Sequence, residues 1–357
     1  MSEPNISEDS NIVDNNETVG QTTTTTSNTE NKDNTVLEVD KETTETKEES
    51  SSSELNNHPA TPLADPHHNP STANSSDISS NDHDEAAPTT PKYTSVKDIG
   101  ISTEKNPRFR RTMEDEHVSL DGFGGVPDQA YFAIYDGHGG RGAVDYTAKN
   151  LHLNLLKEIE NDPENIQEDI KKSYLDTDEQ MGNEPIQFSG TTTITALLRK
   201  NNDGEKHLYV ANAGDARAVI CKNAVAERLS YDHKGSDLEE TKRIINAGGF
   251  VVNNRVNGIL AVTRSLGDHS MKEYVIGDPY QRSIKLEEGH SHLILACDGL
   301  WDVVGDQEAI DIILKETGSN AKQMSEKLLL TALRKGSTDN ISIMVMYQKR
   351  FKQRRYI

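Results

Sequence analysis

Three aspartates in this sequence stand where a short apolar run gives out. Asp136 follows the run Tyr131 to Tyr135, Asp268 follows Ser265-Leu266-Gly267, and Asp298 follows Leu295-Ala296-Cys297. Just beyond the first, Gly137, Gly139 and Gly140 leave bare backbone on either side of His138. A carboxylate at a strand end, beside glycines that let the main chain approach something small, suits a hard cation or a phosphoryl group. A single Asp-Gly pair beside a histidine reads equally well as a turn. Several carboxylates brought together do not, because they repel one another until a multivalent cation neutralises them. Glu114 and Asp115, in the charged stretch that opens at Arg108, join the candidates. Oxygen ligands without any Cys/His spacing of the zinc kind point to Mg²⁺ or Mn²⁺. Two such ions about 4 Å apart activate water against a phosphate ester.

The elements that must position these groups follow from periodicity. Strands are expected at Val96 to Ser102, His117 to Leu120, Tyr131 to Tyr135, Gly190 to Leu198, His207 to Ala213, Ala216 to Cys221, His292 to Ala296 and Ile341 to Tyr347. Gly214-Asp215 reads as a hairpin turn between two of them. Helical spacing covers Ala143 to Ile159, a second helix from about Pro163 to Met181, then Asp306 to Glu316 and Ala321 to Arg334. A compact helix, Ser236 to Ala247, is expected to be capped by Ser236 with Glu239 closing a capping box, and to end at Gly248-Gly249. Strands and helices arrive in blocks, which favours a layered α+β fold.

Composition sets the boundaries. The chain has 357 residues, a net charge of −21 and only 33% hydrophobic residues. The excess charge is concentrated in residues 1–92, with nineteen acidic residues against four basic ones. That stretch has no apolar periodicity and is expected to be a disordered acidic tail. Thr61-Pro62 and Thr90-Pro91 within it read as ordinary Ser/Thr-Pro pairs of a passive tail. A domain over residues 93–348 and a short basic tail over 349–357 complete the expected plan. No run is apolar enough to span a bilayer, and no basic stripe suits a nucleic acid. Cys221 and Cys297 lie in apolar runs and read as buried thiols in a reducing compartment. The expectation is a cytoplasmic monomer, with the basic C-terminus leaving nuclear import open.

Seven stretches then carry a resemblance. They are Arg110-Arg111-Thr112-Met113-Glu114-Asp115, Asp136 to Gly140, Ser189 to Thr192, Asn212 to Arg217, Leu260 to Asp268, Ala296 to Asp302 and Ser337 to Ser342. In order and rough spacing this series resembles the motifs of the metal-dependent PPM (type 2C) protein serine/threonine phosphatases. The resemblance implies a four-layer α/β/β/α sandwich with two central antiparallel sheets and a site at one end of the cleft between them. It implies that Asp136 bridges two Mg²⁺ or Mn²⁺ ions, joined by the carbonyl of Gly137, with Glu114 on the second ion and Asp268 and Asp298 on the first. Asp215, with Asp268, matches a weaker third metal site in some members. Arg110 would grip the substrate phosphate and His138 would be the general acid, so that phosphorylated proteins are hydrolysed without a phosphoenzyme.

Other residues near these motifs invite plainer roles. Asp115 reads as a support for Glu114 or Arg110, Arg217 and Arg264 as structural ion-pair partners, Trp301 as core and Asp302 as a scaffold carboxylate. Asp339 and Asn340 read equally as turn formers or as neighbours of the site. Tyr231 to Asn257, between two motifs, is the stretch expected to form a substrate-facing flap. Two other functions compete with this one. A catalytically silent scaffold of the same fold would lose a metal carboxylate or the arginine, and here all are present. A two-metal nuclease would want a basic groove.

Overall fold

A computed structural model describes residues 93–316 and 318–347. The acidic N-terminal stretch and the basic residues 349–357 lie outside the described residues. In chain order the elements are β1 (Asp98–Glu104), β2 (Asp115–Asp121), β3 (Ala130–His138), α1 (Gly142–Asn161), α2 (Ile166–Met181), β4 (Gly190–Lys200), β5 (Lys206–Ala213), β6 (Arg217–Lys222) and β7 (Val225–Arg228). There follow α3 (Leu238–Asn246), β8 (Val251–Val252), β9 (Arg255–Val256), β10 (Leu266–Gly267), β11 (Tyr280–Lys285) and β12 (His290–Ala296). The last four are α4 (Asp298–Trp301), α5 (Asp306–Lys315), α6 (Ala321–Arg334) and β13 (Ile341–Tyr347).

The strands form two large antiparallel sheets, with β8 and β9 paired separately as a small hairpin. One runs β1-β13-β12-β6-β7; the other runs β11-β5-β4-β3-β2, with β10 attached to β4. Side chains alternate across a strand, and that period of two builds the layers. On β3, Phe132 and Ile134 point into a core shared with Ala218, Ile220, Leu293, Leu295, Met344 and Met346 of the other sheet. Their neighbours Tyr131, Ala133 and Tyr135 point the opposite way, onto Val144, Leu151 and Leu155 of α1 and Ile170 and Tyr174 of α2. On the far side, Val219, Ile294, Ala296 and Val345 pack against Ile310 and Ile313 of α5 and Leu328 of α6. The result is the expected α/β/β/α sandwich. Burying each such Leu, Ile or Phe contributes about 1.5–3 kcal/mol.

Local chemistry corrects several expectations. Gly214-Asp215 does not close a hairpin: β5 and β6 belong to different sheets, and these residues carry the chain from one to the other. The cap of α3 is Asp237, whose carboxylate accepts the N–H groups of Glu239 and Glu240, and not Ser236. The second helix starts at Ile166 and not at Pro163. Asp162 holds the preceding turn by accepting from the Glu164 N–H and the Asn165 side chain. Asp298 opens the short helix α4 and is not the tail of a strand. β3 is longer than its apolar run, because Asp136, Gly137 and His138 pair with Thr192, Thr191 and Gly190 of β4. Both cysteines are buried and free. Among the described residues no helix is long and apolar enough to cross a membrane.

Candidate metal and phosphate site

Asp136 shares a face of β3 with Ile134 and Phe132, two and four residues back, so the strand that lines the inter-sheet core carries a carboxylate into the mouth of the same cleft. Directly across the ladder stands Asp115 of β2. Like charges placed opposite each other are unfavourable in a sheet. Ligand atoms of Asp115, Asp136 and Cys297 all lie within 4.8 Å of one another. Burial, followed by the charges of Asp298, Asp115, Asp215 and Asp339, pushes the Asp136 carboxyl well above its usual range. Burial likewise lifts Asp115 to about 6, and neither of its buried carboxylate oxygens has a hydrogen-bond partner. Asp115, expected to support Glu114 or Arg110, lies within this carboxylate cluster.

The opposite sheet supplies Asp298 and Asp215. Cys297 ends the β12 run with its N–H donated to the Ser342 carbonyl at 3.2 Å, which sets Asp298 at the start of α4 facing the cleft. Burial, then Asp215 and Asp339, raises Asp298 well above the carboxylate range. Burial also raises Asp215, opposed by the ammonium of Lys234 3.3 Å away. Lys234 reaches Asp302 as well, at 2.9 Å.

Glu114 is placed by Asn340. The Asn340 amide oxygen accepts the Glu114 N–H at 2.9 Å, and its NH₂ group donates to the carbonyls of Lys105 and Thr112. Asn340 therefore staples both ends of the Lys105–Thr112 loop to the start of β13. The Glu114 carbonyl accepts the Gly137 N–H at 3.1 Å, and a Cβ on Gly137 would lie 2.5 Å from that oxygen. Only glycine allows this approach. The Glu114 carboxylate accepts from Thr112 Oγ1 at 2.8 Å and lies 3.4 Å from the Gly140 N–H.

His138 and Asp268 form a pair of their own. Gly190 sits across the ladder from His138 on one side and from Gly267 on the other, which brings the two side chains together over a residue with none. His138 Nε2 and Asp268 Oδ2 are 2.8 Å apart, and Ser265 donates to the same oxygen. Asp268 itself adopts left-handed backbone, φ 49°. Arg110 donates to the Asp339 carboxylate and to the Thr338 carbonyl. Burial raises the Asp339 carboxyl, with Arg110 opposing.

The structure thus gathers Asp115, Asp136, Asp215, Asp298 and Asp339 around one cleft mouth, with Glu114 and Arg110 on its rim. The His138–Asp268 pair adjoins through β3. Of the expected ligands, Asp268 is the one turned toward the imidazole. Arg217 pairs with Asp232 and Asp306 and lies over the Trp301 ring, and Arg264 pairs with Glu240, so both are structural as expected. Buried carboxylates that repel one another, one with both oxygens unbonded, are a donor set for hard divalent cations. Lys234 and Asn340 were not read as organisers of the site. Asp339-Asn340 before the last strand was the visible signal for the second, and Lys234 had none.

Comparison with known proteins agrees with this geometry. Residues 99–341 match the family model for protein phosphatase 2C. The chain is 43% identical over 251 residues to protein phosphatase 2C homolog 1 of Schizosaccharomyces pombe, covering 69% of this chain and 72% of that protein. It is 38% identical over 273 residues to protein phosphatase 2C homolog 1 of Saccharomyces cerevisiae, covering 73% and 96%. Among solved structures, a C. elegans sex-determining protein superposes with a TM-score of 0.66 at 24% identity, covering 72% of this chain and 66% of that one. A Toxoplasma gondii serine-threonine phosphatase 2C gives 0.61 at 23%, covering 70% and 94%. These two support the fold alone. With the family model spanning the sandwich from its first strand to its last, the chain belongs to the protein phosphatase 2C family and is a protein serine/threonine phosphatase.

Proposed function

We propose that this phosphatase hydrolyses phosphoserine and phosphothreonine in protein substrates with water as the nucleophile, in a site loaded with two Mg²⁺ or Mn²⁺ ions. The observation that carries the reading is the convergence of carboxylates on Asp136: Asp115 stands across the ladder with ligand atoms within 4.8 Å, and the charges of Asp298, Asp215 and Asp339 reach it as well. Asp136, the Gly137 carbonyl, Glu114, Asp298 and Asp268 are the residues that would hold the ions, with Asp215 available to a weaker third. Bound there, divalent cations supply a water of lowered pKa and neutralise charge on the phosphoryl oxygens.

The chain's own groups do the rest. Arg110, half-exposed and held by Asp339, presents a planar fork of donors that a phosphate can engage in two places. His138 keeps its Nε2 against Asp268, and such an imidazole–carboxylate pair can hold a proton and deliver it to the departing Ser or Thr oxygen. Nothing in this scheme requires a covalent phosphoenzyme, and Cys297, buried behind the carboxylates, is no nucleophile. We assign the protein to the cytoplasm as a monomer.

The test is phosphate release from a phosphothreonine peptide with and without EDTA. Activity is expected to fall to background with chelator and to return with Mn²⁺ or Mg²⁺, and acid-quenched enzyme should carry no phosphate. Full turnover in EDTA would overturn the metal role. A second check uses Gly190→Ala, whose Cβ would lie 2.0 Å from Asp268 Oδ2 and 2.5 Å from His138 Nε2. Pushing that pair apart is expected to lower kcat about 100-fold with the far-UV circular dichroism unchanged. An unimpaired variant would show that the pair takes no part in proton transfer.

A further inference from the structure

In a chain of net charge −21, Lys105–Thr112 holds four cations and no acid. Lys105, Arg108, Arg110 and Arg111 are all exposed, and Arg110 alone of the four has an ion pair among the described residues. This loop is held rigidly. Asn106, with φ 58°, accepts the N–H groups of Phe109 and Arg110 on its carbonyl and donates its side-chain amide to the Ser337 carbonyl at 2.7 Å. Asn340 fixes both ends. Arg108 lies over the exposed ring of Phe109, 5.3 Å from its centroid. Cations without an ion pair, carried on a fixed backbone beside Arg110, are suited to a second anionic group on the same substrate.

We propose that Arg108 and Arg111 select phosphopeptides that carry a further oxyanion within a few residues of the target phosphate, either a carboxylate or a second phosphate. This rests on the phosphoserine/phosphothreonine reading above. Charge complementarity favours such a peptide over a neutral or basic one, because Arg108 and Arg111 stand exposed beside Arg110 with no acid paired to them among the described residues. A guanidinium pairs with carboxylate or phosphate through two parallel N–H donors, so either source satisfies the loop.

The experiment compares kcat/KM on four phosphothreonine peptides with neutral, basic, Asp/Glu-containing and doubly phosphorylated flanks, alongside p-nitrophenyl phosphate. The wild type is expected to favour the two acidic classes. Arg108→Ala/Arg111→Ala is expected to raise KM for those classes about three- to ten-fold, the range of exposed ion pairs. Turnover of p-nitrophenyl phosphate and of the neutral peptide should not change. Arg111→Glu should reverse the order, and high salt should flatten it. The better of the two acidic peptides identifies the source of the oxyanion. Equal kcat/KM across all flanks, or an equal loss on p-nitrophenyl phosphate, would overturn the proposal. Absence of turnover on every phosphothreonine peptide, with p-nitrophenyl phosphate still cleaved, would instead overturn the reading on which it rests.

Discussion

Asp136→Asn is expected to lower phosphopeptide turnover about a thousand-fold or more while leaving the protein folded. The substitution keeps the shape of the side chain and removes one charge from a group of five carboxylates. In chelator the variant should therefore melt no lower than the wild type, and higher if repulsion dominates. Divalent cations stabilise any state that binds them by an amount that grows with concentration over Kd. The wild type should thus gain melting temperature on addition of Mn²⁺, and the variant should gain much less. Two independent readouts bear on one residue. Full activity would remove Asp136 from the site, and an equal Mn²⁺ shift in both proteins would place the ions elsewhere.

The second large effect concerns stability. Glu240 is buried and accepts from Arg264 through both oxygens, at 2.6 and 3.0 Å, from Arg243 at 2.9 Å and from Thr263 at 2.8 Å. Burial alone would raise its carboxyl, but the guanidiniums of Arg264 and Arg243 outweigh it and hold the group at about 2, against an ordinary 4.5. Glu240→Gln leaves two half-buried guanidiniums without an anion and is expected to destabilise by about 3–5 kcal/mol. A depressed pKa means the contribution is complete above pH 4.5 and disappears as pH falls toward 2. The gap between wild type and variant should be full at pH 7 and shrink through that window. Denaturant midpoints at both ends measure it, and a gap independent of pH would show that packing and not charge is responsible.

Much of the site was legible because its chemistry is local. Asp136, Gly137 and His138 are contiguous, and Glu114 and Asp115 adjoin, so residue type and spacing announce them. The long strands and helices were legible for a similar reason: β13 is a nearly unbroken apolar run, buried on both faces, and α6 repeats at helical spacing over its length. Pairwise relations across the sequence were not. Nothing near Gly214 says that the next strand joins the other sheet, because a turn and a crossing have the same composition. Asp237 took the cap from Ser236 since both residues can cap a helix and only the backbone path decides. The short strands β8, β9 and β10 carry too few residues for a period to show. The closeness of Asp115 to Cys297, 182 positions later by their numbers in the chain, is likewise a relation that no local pattern announces.

Residues 236–260 leave the sandwich and return to it at one place. On the outgoing side are His233, Lys234 and Gly235; on the returning side, Ala261, Val262 and Thr263 lie against them, joined by Thr263 N–H to His233 O at 3.0 Å and Gly235 N–H to Ala261 O at 3.2 Å. Beyond that doorway Ile244, Val256 and Val275 form an apolar nucleus separate from the three that build the layers. Glu240 ties the near part of this excursion to Thr263 and Arg264, so tolerance to lengthening or rewriting belongs to its exposed far end around Asn253 and Asn254. A change at that far end leaves the converging carboxylates of Asp136, Asp215 and Asp298 where the two sheets put them.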